Sequence, residues 1–481
     1  MKTMRYFIMT MIAAFSLIAV SCISDEMSNS SSDVLTFSRD TVNFDTVFTD
    51  LGTPTARLIV SNRAKKGISI SSIRFKNPDS NFQLNVDGVS GKDFSDVEIR
   101  ARDSIFVFIE CYIPATQQKE PALVSDDLEF VTNGVTQTVR VEAYGQNVVR
   151  LRDYRVSEDM RLTADLPYVI FGEMIVEEGA TLKVDPGARL LFHDGASLTV
   201  NGRIDAVGTP QQMIHMRGDR LDNVLTDVGY DILAGQWKGM NISARSFDNR
   251  MEYVDMRSTQ QGLVVDSCAD LSRRKLLLRN SWLHNSQGNV LQSSYAHVDA
   301  IGVCFSEARG AAVALEGGQH TMLQCTFANN YLFAAIESPL IWLGHCMPEH
   351  AQDNPNPLMK ARFENSIVYG LADDINIGDL TGSDVFFSYV SLKSAGSNDA
   401  NFLDCLWDTD PIFYTDRPIY YFNYRLKPDS PVKAAGNPSL VTEEALVDID
   451  GLNRLRDGAP SLGAYQFNPD YEPLLPPNAN K

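Results

Sequence analysis

The sequence lacks the residue patterns that mark metal, nucleotide and common hydrolase chemistry. Its seven cysteines form no CxxC pair, and its cysteines and histidines do not have zinc-site spacing. No GxSxG, P-loop, HExxH or GxGxxG motif stands in a suitable context. Basic residues are fewer than acidic ones, 42 against 61, and the resulting net charge of −19 disfavours nucleic acid as a partner. The sequence therefore gives no positive sign of nucleotide, flavin or zinc chemistry.

Long apolar runs are also absent beyond the first residues, so no later segment is predicted to span a membrane. Lys2 and Arg5 precede the apolar run YFIMTMIAAFSLIAV (6–20), which is too short to span a membrane comfortably. The run ends at Cys22 in AVSC, which resembles the lipobox of bacterial lipoproteins. The resemblance implies a signal peptide at 1–21 and a lipid on Cys22. An ordinary secretory signal with an incidental cysteine is the alternative.

The residues after Cys22 have the composition of a tether. Residues 22–33 are rich in serine and acidic residues and have no apolar periodicity, as expected of a flexible segment. The acidic SDE in this segment resembles surface-export signals of lipoproteins in Bacteroides-like bacteria. We therefore expect a protein held by lipid in the bacterial outer membrane, on the cell surface, with the periplasmic face as the alternative.

Residues 34–148 have the pattern of a separate β domain. About seven short apolar or alternating runs are separated by polar turns, which predicts an immunoglobulin-like β-sandwich. The domain has only Cys111 and no tryptophan, so it lacks the core of antibody domains. The stretches FDTVFTDLGT (44–53) and LIVSN (58–62) resemble the cysteine-poor sandwiches of the ASH/HYDIN and major-sperm-protein type.

The sequence between residues 149 and 467 contains a recurring short pattern. GATLKV (179–184) recurs as GASLTV (195–200), and Leu283, Phe305 and Phe327 are separated by 22 residues each time. A period near 22 is typical of one coil of a right-handed parallel β-helix, in which coils stack to bury a common core. The leucine-rich-repeat pattern is absent. The predicted fold class is therefore all-β, an N-terminal immunoglobulin-like sandwich followed by a right-handed parallel β-helix.

Three cysteines share this periodicity. Cys304, Cys325 and Cys346 are each 21 residues apart, which predicts stacked thiols inside the solenoid. Disulfides between adjacent coils are the alternative.

Two regions carry a resemblance to a known group of proteins. The stretch GATLKVDPGARLLFHDGASLTVNGRIDAVGTP (179–210) and the C-terminal sequence 410–438 leading to LGAYQF resemble right-handed parallel β-helix lipoproteins of Bacteroides-like bacteria, a pectin lyase-like architecture. The resemblance implies an architecture and a compartment but no single activity.

The sequence predicts no catalytic residues. β-Helix enzymes that cleave polysaccharides need clustered carboxylates, but the acids between residues 250 and 345 fall at different phases of the repeat. Glu316 and Glu337, 21 residues apart, are interpreted as turn residues, with a metal site as the alternative. His297, His320 and His345 are also interpreted as turn residues, with a row of metal ligands as the alternative. No metal site or cofactor is predicted apart from the lipid.

Aromatic residues are the candidate ligand-binding groups, because sugar rings stack on aromatic rings. The candidates are Trp237, Trp282, Trp342, Tyr420 and Tyr424. The excursion at 217–237 is expected to carry specificity, although Trp237 itself suits packing under the next coil better than sugar binding. We predict non-catalytic recognition or adhesion towards glycans or other envelope components, with membrane attachment through the lipid. A polysaccharide lyase or glycoside hydrolase and a structural spacer or assembly component are the alternatives.

The segment VDIDGLNRLRDGAPSLGAYQF (447–467) resembles a calcium loop only partly. With Gly451 at the sixth position of an EF-hand loop, Leu446 takes the first position and Asp457 replaces the final glutamate, so calcium is disfavoured. We interpret the segment as a C-terminal cap, in which Arg454 pairs with an acid and LGAYQF forms a last strand at the open end of the solenoid. Residues 468–481 are predicted to be a disordered tail.

Overall fold

The computed structural model describes residues 26–53, 55–225, 228–346 and 357–474. The predicted signal peptide, residues 22–25 of the predicted tether, which include Cys22, and the end of the predicted tail lie outside these residues. In the described part of the tether, the Ser28 N–H donates to the Gly67 carbonyl at 2.8 Å. The chain forms two compact units, with the boundary between Asn147 and Val148. Four short 3-10 helices occur in the described residues, at Tyr230–Ile232, Arg417–Ile419, Pro438–Leu440 and Glu443–Ala445. Within those residues, no helix has the length and apolar character needed to cross a bilayer.

The first unit is a sandwich of two sheets. Its strands are β1 (Leu35–Phe37), β2 (Thr41–Phe48), β3 (Ala56–Asn62), β4 (Ile68–Phe75), β5 (Phe82–Val86), β6 (Val89–Gly91), β7 (Asp93–Phe94), β8 (Val97–Ile99), β9 (Ser104–Cys111), β10 (Ala122–Thr132) and β11 (Val135–Gln146). One sheet has the order β1-β3-β9-β5-β6 and the other β2-β11-β10-β4-β7, with β8 beside β4. Short strands such as β6, β7 and β8 account for the excess over the seven runs expected from the sequence.

Alternation along the strands explains the sandwich. In β9 the side chains of Val107, Ile109 and Cys111 are buried, while their neighbours point outwards. The buried side chains of both sheets form one apolar core. The predicted immunoglobulin-like sandwich is confirmed.

The second unit is a parallel β-helix, as predicted. Its strands are β12 (Val149–Arg152), β13 (Arg155–Val156), β14 (Met160–Leu162), β15 (Tyr168–Phe171), β16 (Glu173–Val176), β17 (Thr181–Val184), β18 (Arg189–Phe192), β19 (Ser197–Val200), β20 (Arg203–Val207), β21 (Ile214–Gly218), β22 (Asn223–Leu225), β23 (Val228–Gly229), β24 (Gly239–Ile242), β25 (Asn249–Glu252), β26 (Val254–Thr259), β27 (Leu263–Val265), β28 (Leu276–Arg279), β29 (Trp282–Ser286), β30 (Leu291–Ser294), β31 (His297–Ile301), β32 (Cys304–Ala308), β33 (Val313–Glu316), β34 (Gly318–Leu323), β35 (Thr326–Asn329), β36 (Ile341–Gly344), β37 (Leu358–Glu364), β38 (Ile367–Gly370), β39 (Ile375–Ile377), β40 (Asp384–Ser388), β41 (Ser391–Leu392) and β42 (Phe402–Leu403).

Apart from β22 and β23, which pair with each other in antiparallel orientation, these strands form three long parallel sheets. The first solenoid sheet is β12-β15-β18-β21-β26-β29-β32-β35-β38-β41, the second runs from β13 to β39 and the third from β14 to β42. Each of the first nine coils adds one strand to each sheet, and the last adds β41 to the first and β42 to the third, so equivalent positions stack. Leu283, Phe305 and Phe327 are successive partners in the first solenoid sheet, as the 22-residue period predicts. The rings of Phe305 and Phe327 stack with centroids 5.5 Å apart.

The 16-residue repeat has a different origin. GATLKV contains β17 of the third solenoid sheet, whereas GASLTV contains β19 of the second. The true partners are Leu182 with Ile204 and Met174 with Leu198. The two copies share a turn in which Gly179 and Gly195 have positive φ, so the repeat reflects similar corners and not one coil.

The predicted cysteine stack is wrong. Cys304 pairs in register with Thr326, one residue beyond Cys325. Cys304 faces outwards under the C-terminal residues, whereas Cys325 belongs to the interior core. All six cysteines of the described residues are free thiols.

The C-terminal residues lie on the flank of the solenoid. The C-terminal segment (residues 404–474) contains no strand, so the strand predicted for LGAYQF is not formed. The segment packs its apolar side chains against Cys304, Ala328 and Ile367 on the outer face of the first solenoid sheet. Its backbone N–H at Ala464 donates to Thr326 Oγ1 at 2.9 Å. The predicted end cap is therefore a lateral clamp across several coils.

Candidate functional site

The outer face of the first solenoid sheet carries most of the polar groups of the site. Met256 and Leu283 point into the core, so alternation turns Asp255, Arg257, Trp282 and His284 outwards. Parallel pairing then places Asp255 beside Trp282 and Arg257 beside His284. Ordinary strand geometry thus builds a two-by-two array of polar and aromatic side chains.

A pocket of about 250 Å³ lies over this array. Two irregular parts of the chain form its walls, the excursion at 217–237 and the C-terminal segment. The excursion leaves the coil after β21, at the same corner where residues 330–339 follow β35. The described lining residues are Val228, Gly229, Asp231, Ile232, Arg257, Trp282, His284, Asn285, Glu307, Tyr331, Leu332, Phe333, Ile419, Tyr420, Tyr421 and Phe422.

Asp231 holds two guanidinium groups together. Its Oδ2 accepts from Arg217 Nη1 at 3.2 Å and from Arg257 Nη1 at 2.7 Å. The backbone carbonyl of Asp231 accepts from Ser258 Oγ at 2.7 Å and Asn285 Nδ2 at 2.8 Å. The excursion is therefore attached to the sheet at its acidic residue.

Asp255 is the second anion of the network. Arg257 Nε donates to Asp255 Oδ1 at 3.0 Å, and Arg257 Nη2 contacts Oδ2. His284 Nε2 lies 3.1 Å from Oδ1, and His215 Nδ1 lies 3.3 Å from Oδ2. Although burial opposes ionisation, Arg257 and the two histidines hold the pKa of Asp255 well below its usual range. Burial lowers the pKa of His284, which favours the neutral ring.

Glu307 is a buried carboxyl group at the pocket. Tyr424 of the C-terminal segment donates its hydroxyl hydrogen to Glu307 Oε1. The other oxygen, Oε2, has no hydrogen-bond partner in the described part of the chain. Burial raises the pKa of Glu307 to about 7, although hydrogen bonds from Ser306 and Tyr424 act in the opposite direction. The group is consequently a neutral acid below that pH.

Aromatic rings supply the apolar part of the lining. The Trp282 ring stacks on His284 with centroids 4.0 Å apart, and its Nε1 donates to Ser306 Oγ at 2.8 Å. Tyr331 and Phe333 meet edge to face at 5.9 Å. Phe333 and Tyr420 keep 43% and 36% of their surface exposed. The pocket thus combines accessible rings with oriented polar groups.

The five predicted aromatic residues divide into two groups. Trp282 and Tyr420 line the pocket. Trp237 is fully buried, stacks on Phe192 at 3.9 Å and donates from Nε1 to the Arg257 carbonyl, so it offers no face to a ligand.

Trp342 and Tyr424 are also buried. Trp342 is in β36 of the second solenoid sheet, packed with Ala311 and Ala314, away from the pocket. Tyr424 lies behind the pocket, in contact with Glu307. The prediction from the sequence therefore overestimated the number of exposed aromatic rings, because three of the five contribute to packing.

Several lining residues were not found from the sequence. Asp231, Arg257, His284 and Glu307 belong to no motif, and the useful signal was the excursion that carries Asp231. Glu307 has a positive φ of 50°, which breaks the strand alternation that would otherwise set its direction.

A second cavity of about 520 Å³ adjoins the first through Tyr331. It is lined by residues 334–339 and 371–373 and by Arg417. Arg417 Nη2 donates to the Tyr331 carbonyl at 3.2 Å and links the C-terminal segment to this corner. The two cavities follow successive coils along the solenoid.

The glutamates and histidines considered above as turn residues or metal ligands do not form a metal site, and His297, His320 and Glu316 lie in strands and not in turns. Within the described ranges, no three histidine, cysteine or acidic side chains are placed to hold a metal ion. His320 is buried with its Nε2 at 2.8 Å from the Gly317 carbonyl, and burial lowers its pKa to about 4. In register, Gln319 and not His320 is the partner of His297.

The acids of the C-terminal loop are used structurally. Asp448 accepts from the backbone N–H groups of Leu452 and Gln466 at 2.7 Å. Asp450 forms a two-pronged ion pair with Arg425 at 2.6 and 2.5 Å. These carboxylates satisfy the protein's own donors. The cation that pairs with an acid here is Arg425, whereas Arg454, predicted to pair with an acid, donates to Gln324 Oε1 and to the carbonyls of Gly463 and Ala464.

Comparisons with known proteins give no family. No family model matches the chain, and no curated protein is similar to it in sequence. Solved structures with local similarity include a protein of unknown function from Porphyromonas gingivalis W83 (13% identity, TM-score 0.18, 27% of this chain and 58% of that one). A family 123 glycoside hydrolase from Clostridium perfringens has 11% identity, a TM-score of 0.18 and coverage of 25% and 26%.

The VesB protease of Vibrio cholerae has 13% identity, a TM-score of 0.17 and coverage of 23% and 31%. The chain thus spans less than two thirds of the length of each of these proteins. TM-scores this low do not establish a shared fold.

Proposed function

We propose that this chain is a lipid-anchored cell-envelope protein whose solenoid binds a glycan, without cleaving it, in the pocket around Trp282. The observation that carries the proposal is the combination of accessible rings and fixed polar groups in one pocket. Many sugar rings present one face of C–H groups that packs on an aromatic ring, while their hydroxyl groups need oriented donors and acceptors. Trp282, Tyr420 and Phe333 offer the rings, and Asn285, Asp231 and Arg257 the polar groups.

The ion pairs favour binding over catalysis. Asp231 and Asp255 are each engaged by at least one guanidinium group, so neither is a free base or nucleophile. Such a network holds its members in one geometry, which suits recognition of a fixed ligand shape.

The proposal is tested on a glycan array with the purified mature chain. We expect binding to a defined set of glycans, and we expect Trp282→Ala to abolish it. Tyr112→Ala is the matched control, because Tyr112 is an exposed aromatic residue of the first unit. Absence of binding to every glycan would overturn the proposal and favour the structural spacer.

A second candidate function is glycan cleavage, favoured by one observation. Glu307 is a carboxyl group at the pocket with a pKa of about 7, as a general acid requires. Product analysis of the array ligands after incubation, with and without calcium, tests this candidate. Products that form with the wild type and not with Glu307→Gln would establish a hydrolase or lyase.

The location is proposed from the first residues of the chain. A lipid on Cys22 would hold the protein in the outer membrane, with the two units on the cell surface. Cys22→Ala is expected to release the protein from membranes, and protease treatment of intact cells distinguishes the outer from the periplasmic face. Unchanged membrane retention of the variant would contradict the lipid anchor.

A further inference from the structure

We infer that the pocket around Trp282 takes an uncharged saccharide and discriminates against acidic ones such as uronates and sulfated or sialylated glycans. This inference rests on the proposed glycan binding and adds the class of ligand. It follows from how the charges of the pocket are paired.

The cations at the pocket already form ion pairs within the protein. Of the described residues that line the pocket, Arg257 is the one cation, and its Nε, Nη1 and Nη2 all contact Asp231 or Asp255. Arg217, behind the lining, donates to Asp231 and to the Arg220 carbonyl at 2.7 Å. Two guanidinium groups therefore face two carboxylates, and their formal charges cancel.

At pH 6, burial favours the neutral forms of the buried titratable groups at the pocket. It lowers the pKa of the His284 ring. Burial raises the pKa of Glu307 to about 7, so its carboxyl group is protonated. Tyr424, which contacts Glu307, has a pKa raised well above its usual range, first by burial and then by that carboxyl group. Cys304 beside them is a neutral thiol for the same reason.

An acidic ligand would lose its hydration without gaining a free cation. Burying a carboxylate or sulfate is unfavourable unless an opposite charge is available. To recruit Arg257, an anion would have to compete with Asp231 and Asp255, which hold it already. An uncharged sugar has no charge to dehydrate and does not need Arg257. It can stack on the aromatic rings of Trp282 and Tyr420.

The direct test compares neutral and acidic oligosaccharides on the mature chain at pH 6. The probes are neutral glucose, mannose, galactose and xylose oligomers, and oligogalacturonides, glucuronate-containing, sialylated and sulfated glycans. We expect Trp282-dependent binding of at least one neutral probe, with acidic probes at least about tenfold weaker. Equal or tighter Trp282-dependent binding of an acidic probe would overturn this inference while leaving the proposed function intact. Binding of no probe at all would overturn both.

A charge variant provides the second test. Asp231→Asn keeps the backbone contacts of the excursion but frees Arg217 and Arg257 from one shared carboxylate. We expect it to bind acidic probes about tenfold more tightly than the wild type does, with a salt dependence. Asp248→Asn is the matched control, since Asp248 pairs with Arg273 outside the pocket at 2.6 Å and its positive φ tolerates asparagine. Unchanged selectivity in Asp231→Asn would contradict the role given to the ion pairs.

Discussion

Tyr424 donates a hydrogen bond to Glu307 across 117 residues of sequence, and this contact joins the C-terminal segment to the solenoid at the pocket. Tyr420, Tyr421 and Phe422, which line the pocket, lie just before Tyr424 in the same segment. The contact therefore supports one wall of the proposed binding site as well as the clamp on the first solenoid sheet.

The buried carboxyl of Glu307 predicts a specific pH dependence of stability. Its pKa is raised from 4.5 to about 7 on folding, so the folded state binds more protons in that interval. Stability from this group is fully present below about pH 4.5 and is lost as the pH rises to about 7. Glu307→Gln should remove this loss. The difference in free energy of unfolding between the variant and the wild type should therefore shift in favour of the variant by up to about 3 kcal/mol as the pH rises from 4.5 to 8.

Urea unfolding of both proteins at several pH values measures this difference. His320, whose pKa is lowered to about 4, contributes in the opposite direction but equally in both proteins, so it cancels. Parallel stability curves would contradict the assignment of Glu307.

Tyr424→Phe should destabilise the protein by about 1–3 kcal/mol, because Glu307 Oε1 would be left buried without its donor. Thermal unfolding measures the effect. Tyr144→Phe, at an exposed position of the first unit, should change stability by less than about 0.5 kcal/mol. If the two variants behave alike, the contact has no energetic role.

Arg454→Met should destabilise the C-terminal segment by about 3–5 kcal/mol. The guanidinium is fully buried and donates to Gln324 Oε1 at 3.2 Å and to the carbonyls of Gly463 and Ala464 at 2.9 and 2.8 Å. Loss of these donors leaves the carbonyls unsatisfied and Asp448 without its neighbouring cation. Limited proteolysis within residues 404–474 reports the effect, and the exposed Arg456→Met serves as control.

Trp237 and Trp282 should respond differently to replacement by alanine. Trp237→Ala removes a buried ring stacked on Phe192 and should cost about 3–5 kcal/mol of stability. Trp282→Ala should cost less stability and should instead remove glycan binding. Paired unfolding and binding measurements separate these effects, and equal loss of stability in both variants would contradict the distinction.

Periodic features could be predicted from the sequence because they are local. The 22-residue spacing of Leu283, Phe305 and Phe327 reports the stacking of coils directly. Because Leu283 points into the core and neighbouring side chains of a strand point to opposite faces, Trp282 lies on the outer face. Trp237 lies outside a strand, so no alternation indicated that its ring is buried.

The pocket could not be predicted because its parts are distant in the sequence and two of them are irregular. Asp231 comes from the excursion and Tyr420 from the C-terminal segment, neither of which follows the coil period. The strand predicted for LGAYQF is absent because this segment, too, contacts residues that are distant in the sequence. Its apolar residues suited a last strand, but the outer face of the first solenoid sheet offered Cys304, Ala328 and Ile367 as a larger apolar surface.

Titration calorimetry of the mature chain with the neutral oligosaccharide that binds most strongly on the array tests the central claim most directly. The account predicts saturable binding by the wild type and by Tyr112→Ala, and at least about tenfold weaker binding by a folded Trp282→Ala variant. No measurable binding by the wild type, or equal affinity in Trp282→Ala, would contradict it.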